Sequence, residues 1–308
     1  MPSLLDLSLS HVDGAPATSQ LELAQSLCDS GCITSDAVFD AFAAVDRARF
    51  VPSAANGDEE DPGVGDVYAE PYRNEPISVG YGATISTPHH HALIAEQMVK
   101  ALPRNGEACA VLDLGCGTGC LSEIFLEITG RSNGFVAGVD SVPQLLRVAE
   151  RVASPDISFF SGHSVACCEN ALPDTRFDGV HVGFAVQDTF VKSLRPLLGE
   201  RGGVVVAPVL SNDGTGSQRL WLAQWTPDGS FHVEDVGATM CQADMGGPYK
   251  PPLSRTERLE AATTGLEAWK YEFHATSGRM PTRDDIEADA HARELFEEFA
   301  SLRRYGQQ

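Results

Sequence analysis

The sequence predicts an α/β fold: a doubly wound, mostly parallel sheet with an N-terminal helical segment and a C-terminal helical hairpin extension. Three observations predict it. From residue 109 onward, short apolar runs alternate with helix-patterned segments, the mark of a parallel sheet covered on both faces. The first of these runs lies in "VLDLGCGTGC" (111–120), which then places glycine at every second position, Gly115, Gly117 and Gly119, so a strand gives way to a bare loop. In the tail, Leu259, Ala262, Leu266, Trp269 and Phe273 recur three and four residues apart, which is the apolar stripe of a helix.

Taken in order, residues 18–50 read as two short helices. Gly31 ends the first, and Thr34-Ser35-Asp36 starts the second ahead of Val38, Phe39, Phe42 and Val45. The stretch "SAANGDEEDPGVGD" (53–66) is an acidic loop. Thr87 before Pro88 marks a helix start, because proline is preorganised for the first helical position, and the helix runs to about 102. Strands follow at 109–114, 134–139, 157–161, 177–183 and 203–209, with helices at 119–129, 142–153 and 187–196. Residues 218–237 read as a hairpin turning at Pro227-Asp228-Gly229. In the tail, Gly278–Pro281 breaks the first helix and Thr282 with Asp285 forms a capping box. Ala292, Leu295, Phe296, Phe299 and Leu302 then give a second stripe. The domain expectation is a helical segment and acidic loop over 1–66, a core over 67–250 and a helical extension over 251–308.

Composition excludes several classes. The chain of 308 residues carries a formal charge of −21, with no basic patch to offset it, so neither nucleic acid nor an anionic membrane suits it as a partner. The opening "MPSLLDLSLS" has no basic n-region and no unbroken apolar run, so no signal peptide or membrane span is expected and a cytoplasmic location follows. Eight cysteines, several inside apolar runs, read as reduced buried thiols. Cys28/Cys32 and Cys116/Cys120 lack a second ligand pair, and His89, His90 and His91 point in different directions on a helix. No metal is expected.

The glycines call for a nucleotide-like ligand, since a bare loop before a helix N-terminus lets the backbone approach an anion. The dinucleotide spacing would need glycine at position 120, which is Cys120. Asp113-x-Gly115-x-Gly117-x-Gly119 instead resembles the first motif of the class I S-adenosyl-L-methionine (AdoMet) methyltransferases, whose fold is Rossmann-like. Asp140, 21 residues after Gly119 at the end of the next strand, is placed for both ribose hydroxyls.

"YAEPYRNEPISVGYGATISTPHHHA" (68–92) narrows the class. It resembles the segment peculiar to protein-L-isoaspartate O-methyltransferases, in which a Gly-aromatic-Gly stretch and a T-I-S-x-P sequence precede the first core helix. "GCITSDAVFDAFAAVDRARFVP" (31–52), "FDGVHVGFAV" (177–186) and "LRPLLGERGGVVVAPV" (194–209) resemble further segments of that family. Roughly residues 20–235 are covered.

The resemblance implies an AdoMet-dependent enzyme of protein repair that esterifies the free α-carboxylate of L-isoaspartyl residues in damaged proteins or peptides. It implies Ser86 as the active-site serine, whereas Ser86 by itself, just before a helix, reads as a cap. Thr84, Ile85, His181 and Val182 are implied on the substrate side. On the cofactor side it implies Pro88, His89, His90 and His91; Asp113, Gly115, Cys116, Gly117 and Gly119 near methionine; Asp140 and Ser141 at the ribose; and His163 and Ser164 near adenine. His163 stands where the family commonly has aspartate, and the family's closing strand is not recognisable in "VGATMCQADMGGPYKPPL" (236–253). Two other functions fit those departures. One is an AdoMet-binding adaptor that holds a protein partner through its C-terminal helices, and the other is a methyltransferase acting on aspartate of a modified peptide.

Overall fold

In the computed structural model, residues 17–51, 70–102, 108–130, 133–162, 165–211, 213, 215–241, 255–277, 279–293, 295, 296 and 299 are described. The expected loop at 53–66, most of 236–253, and Leu302 lie outside them. The chain divides into two compact units, residues 1–249 and 250–308.

The first unit begins with α1 (Gln20–Asp29) and α2 (Asp36–Ala44). Ser19 and Ser35 cap them by accepting hydrogen bonds from the amides of Glu22 and Val38, which satisfies backbone donors that have no partner within the helix. A 3-10 turn, Arg47–Phe50, completes this segment. α3 (Pro88–Ala101) carries Glu96, whose carboxylate accepts the amides and hydroxyls of both Thr34 and Ser35 at 2.8–3.0 Å. The helical segment is thereby pinned to the body.

Between them lies a hairpin that the sequence pattern does not reveal, β1 (Ile77–Gly80) with β2 (Ala83–Ile85). The body then alternates: β3 (Cys109–Leu114), α4 (Cys120–Thr129), β4 (Gly134–Asp140), α5 (Pro143–Val152), β5 (Ile157–Ser161), α6 (Val165–Ala171), β6 (Gly179–Val182), α7 (Asp188–Ser193) and β7 (Gly203–Leu210). β8 (Gln218–Trp225) and β9 (Phe231–Thr239) form the expected hairpin, its turn held by Asp228 Oδ1 accepting from Ser230 N at 3.0 Å. The sheet order is β5-β4-β3-β6-β7-β8-β9, parallel up to β7 and antiparallel beyond.

Strands buried on both faces send alternate residues into two cores. Val111, Val136, Val204 and Val206 join one core with Phe42, Phe50, Met98 and Phe125 from the helices. Leu112, Val139, Val182 and Val205 join the other with Val191 and Leu194. α1 and α2 therefore belong to the same core as the sheet. The helix expected over 187–196 ends early: α7 stops at Ser193 and a 3-10 turn, Arg195–Leu197, follows. Pro196 within it has no amide to continue the helix.

The second unit has α8 (Arg255–Ser277) and α9 (Arg283–Ala288). Asp285 accepts from the amide and hydroxyl of Thr282 at 2.7 and 2.6 Å, as the capping box requires. The second tail helix does not run unbroken from its capping box to the second apolar stripe. Asp289 interrupts it with extended backbone, accepting hydrogen bonds from Ala292 N and Trp269 Nε1, each at 3.0 Å, before helical turns resume.

Candidate active site

β3 and β4 end side by side, and the chain leaves β3 through residues 115–119. Gly115, Gly117 and Gly119 all have positive φ, backbone that side-chain-bearing residues rarely adopt. Space adds a second requirement at two of them. A Cβ on Gly115 would come within 2.8 Å of the Phe184 ring, and one on Gly119 within 3.0 Å of Phe159. The loop amides are not turned outward to a ligand, as a phosphate-type loop would have them. Gly115 N and Cys116 N donate to Val139 O at 2.7 and 3.2 Å, and Gly119 N donates to Cys116 O. Gly117 N donates to Asp140 Oδ2 at 2.9 Å.

Asp140 thus anchors the loop from the end of β4. Its other oxygen accepts Val142 N at 2.9 Å. A carboxylate has about four acceptor positions, so two amides leave room for a diol. Burial pushes the Asp140 carboxyl above the ordinary value, while the amides of Val142 and Gly117 pull it back.

Asp113 borders the same cleft but is committed inward. Ser122 Oγ donates to its Oδ2 at 2.6 Å and His181 Nδ1 meets its Oδ1 at 2.7 Å. An ionised carboxylate only accepts, so Nδ1 carries the proton.

From the other side, the β1–β2 hairpin delivers Ser86. Tyr81 at the hairpin tip has φ 54, the single positive φ outside glycine among the described residues, with Gly80 and Gly82 on either side. Thr87 stands at the start of α3 without a capping bond. Ser86 lines the cleft, and its hydroxyl makes no hydrogen bond among the described residues.

These elements enclose a cleft of about 1030 Å³, part of it open to solvent. It is lined by Tyr81, Thr84, Ile85, Ser86, His91, Asp113, Gly115, Cys116, Gly117, Asp140 and Ser141 among others. Burial holds the His91 imidazole well below its ordinary pKa, helped by the nearby Arg47 charge. Burial also pushes the Cys116 thiol well up. At neutral pH the cleft therefore offers a neutral imidazole and an unreactive thiol.

Several expected residues stand elsewhere. His181 and Val182 are buried within β6 and do not line the cleft. The chain reaches it one residue later, with Gly183 and Phe184. Pro88, His89 and His90 do not line it either. His89 bonds Asn74 Oδ1 through N and Nδ1, and His90 Nε2 bonds Thr239 Oγ1 at 2.9 Å. Only the third histidine of the run faces inward, because successive helical residues are about 100° apart. Gly119 packs on Phe159, away from the cleft. His163 and Ser164 lie outside the described residues. Val79, Tyr81, Ala83, Thr118, Cys120, Leu121, Val142 and Phe184 complete the wall without having been singled out. Of these, Tyr81 could have been found from the glycines beside it.

The bare loop, the carboxylate ending the adjacent strand and the seven-stranded sheet order define a class I methyltransferase fold. Solved structures agree with it. A protein-L-isoaspartate O-methyltransferase from Plasmodium falciparum, in complex with S-adenosyl-L-homocysteine, superposes with a TM-score of 0.60 at 20% identity over 75% of this chain and 100% of its own. A second structure carrying the same enzyme name gives 0.57 over 80% and 69%. At the sequence level, the family described as protein-L-isoaspartate(D-aspartate) O-methyltransferase matches residues 18–241, and the chain belongs to that family. Relatives named protein-L-isoaspartate O-methyltransferase include one from Triticum aestivum, 30% identical over 77% of this chain and 93% of its own. One from Arabidopsis thaliana is 30% identical over 77% and 92%.

Proposed function

We propose that this protein transfers the methyl group of AdoMet to the free α-carboxylate of L-isoaspartyl residues in damaged proteins or peptides. One observation carries the reading: in a chain of this family, a single cleft joins the Asp140-anchored glycine loop to Ser86, whose hydroxyl has no hydrogen bond among the described residues. The cleft residues fit the cofactor. Asp140 keeps free acceptor positions for ribose hydroxyls, and a Cβ built on Gly117 would meet nothing within 4 Å, so the loop presents a bare surface beside it.

When bound, AdoMet supplies a methyl group on a positively charged sulfur. The substrate needs no base, because an α-carboxylate with a pKa of about 3.5 is ionised at neutral pH. Its oxygen forms the new bond to the methyl carbon as the carbon–sulfur bond breaks, and the electron pair of that bond stays on sulfur. Ser86 donates its hydroxyl proton in a hydrogen bond to the carboxyl group and orients it, without giving up the proton. His91, kept neutral by burial, adds no charge that would compete with the sulfonium. Catalysis then rests on alignment and exclusion of water.

Among the described residues no helix is long and apolar enough to cross a membrane. The charge of −21 supports action on proteins rather than on nucleic acid; we place this action in the cytoplasm and assign contact with a protein partner to the C-terminal helices.

The test is methyl transfer from radiolabelled AdoMet to an L-isoaspartyl peptide and to its ordinary aspartyl counterpart. A base-labile ester on the isoaspartyl peptide alone is expected, and Ser86→Ala lowers turnover tenfold or more while AdoMet affinity changes less than threefold. AdoMet binding with no ester on either peptide would overturn the reading, and labelling of ordinary aspartate would move the activity to a different substrate.

A further inference from the structure

Phe184 stands two residues beyond Val182, the end of β6, on the far side of β3 from β4. Its ring lies against the first glycine of the loop: Cδ1 and Cε1 are 2.8 and 3.2 Å from where a Gly115 Cβ would be. Phe190 braces it edge-on, with ring centroids 6.0 Å apart and planes at 63°. The ring is therefore held in place, half-buried, and lines the cleft.

Asp140 at the end of β4, Gly115 and Phe184 beyond β6 line one cleft, so a cofactor with its ribose at Asp140 and its amino-acid arm over the Gly115 loop would bring its sulfur within reach of the Phe184 ring. A sulfonium taken from water needs compensation. The two lining carboxylates favour a cation in the cleft, but their oxygens are directed elsewhere, Asp113 to Ser122 and His181 and Asp140 to two amides and the ribose assigned to it. Among the described lining residues no lysine or arginine repels a cation. The electron-rich face of a fixed aromatic ring attracts one. Tyr81 is the other aromatic residue in the wall, but it belongs to the hairpin that leads to Ser86, on the side assigned to the substrate.

We infer that Phe184 is a positioning and selectivity residue for the charged donor, its ring stabilising the sulfonium of AdoMet more than the neutral thioether left after transfer. The inference rests on the cofactor reading above and adds to it a preference for donor over spent product. The chemistry would ease product exchange: loss of the positive charge on methyl transfer removes the attraction, and the thioether is released more readily.

The experiment is calorimetric titration of the full-length protein with AdoMet and, separately, with S-adenosyl-L-homocysteine. Phe184→Leu keeps an apolar side chain without a π face, and Phe184→Ala removes the wall. A cation–π contact at a partly desolvated site corresponds to roughly two- to thirtyfold in affinity. Phe184→Leu is expected to weaken AdoMet at least threefold while S-adenosyl-L-homocysteine changes less than twofold, so the ratio of the two constants shifts. Because both ligands are measured on the same folded variant, general loosening moves them together and leaves the ratio in place. Equal weakening of both ligands, no change in either, or tighter binding in Phe184→Ala, as expected of a ring that merely obstructs the cleft, would overturn the inference while leaving the methyltransferase reading intact. Failure of the unaltered protein to bind either ligand would remove the cofactor reading and this inference with it.

Discussion

Asp113 and His181 are register partners on neighbouring strands β3 and β6, and their side chains meet at 2.7 Å in the interior of the sheet. With exposures of 1% and 5%, neither can turn to water if the other is removed. The carboxylate also accepts Ser122 Oγ from α4, so one buried group ties two strands and a helix together directly beneath the glycine loop. The imidazole packs edge-on against Phe125 as well, centroids 5.9 Å apart. His181→Ala leaves a buried acceptor short of one donor and opens a cavity, a loss of about 2–4 kcal/mol. In a unit of this size that lowers the melting temperature by roughly 5–15 °C, which scanning calorimetry would read. AdoMet affinity of the folded variant is expected to stay within threefold, because His181 does not line the cleft; lost affinity with an unchanged melting temperature would contradict this placement.

Asp140 gives a test on the cofactor side. Asp140→Ala removes the anchor of Gly117 N and the acceptor for ribose together, for an expected 10- to 100-fold loss of AdoMet affinity. The pH dependence has a definite sign. Burial raises this carboxyl above its ordinary 3.8, so acidification protonates it earlier than an exposed aspartate. AdoMet affinity falls on acidification, at higher pH than an exposed aspartate would give. In Asp140→Asn, which cannot titrate, that limb of the profile is expected to flatten. Calorimetric titration from pH 7 down to 4.5 measures it, and an identical slope in both proteins would argue against the carboxylate as the ribose acceptor.

The histidines of α3 predict how stability depends on acid. Burial lowers His90 to about 4, with the neighbouring His181 and His89 adding to it. The folded protein therefore binds fewer protons at this site than the unfolded chain between about pH 4 and 6.5. Stability from this group is present above pH 6.5 and is lost as pH falls toward 4, at up to about 1.4 kcal/mol per unit. Urea unfolding at pH 7.0 and 5.5 should show the drop, and in His90→Gln it is expected to be smaller by about 1 kcal/mol.

Much of this was legible in the sequence for physical reasons. The strand, loop and helix at 109–129 announce themselves because a left-handed backbone selects glycine and a doubly buried strand selects β-branched and aliphatic residues. Asp140 was legible because its place depends only on where the next strand ends. The β1–β2 hairpin was not, since strands of four and three residues are too short to show a period of two. His181 was misplaced for a related reason: in "GVHV" every position is buried, so no alternation of polar and apolar residues tells which face a side chain takes. Nor could glycine spacing reveal that the loop amides of Gly115, Cys116 and Gly117 donate to Val139 O and Asp140, because that depends on β4 lying alongside. Asp289 separates the capping box at Thr282 from the apolar stripe that begins at Ala292, because a short carboxylate can cap a new turn wherever its backbone is extended.

The last prediction concerns how the helical segment reaches the cleft. Thr118, in the glycine loop, donates its hydroxyl to the Phe50 carbonyl at 2.8 Å, 68 residues back in the chain, and both residues are buried. Thr118 also lines the cleft, so this one bond joins the cofactor loop to the end of the segment carrying α1 and α2. Thr118→Val keeps the shape and deletes the donor, leaving a buried carbonyl unpaired at a cost of about 1–3 kcal/mol. Thermal unfolding should begin several degrees lower, and limited proteolysis should cut within residues 17–51 sooner than in the parent. The methyl that replaces the hydroxyl does not block the loop, so a hundredfold excess of AdoMet over its dissociation constant should still add about 2.7 kcal/mol to the variant. A variant that loses stability and keeps this increment separates the anchoring of the segment from the holding of the cofactor. A variant that loses the increment as well would mean that the Phe50 bond shapes the cleft itself, and that the helical segment is part of the binding site rather than a support for it.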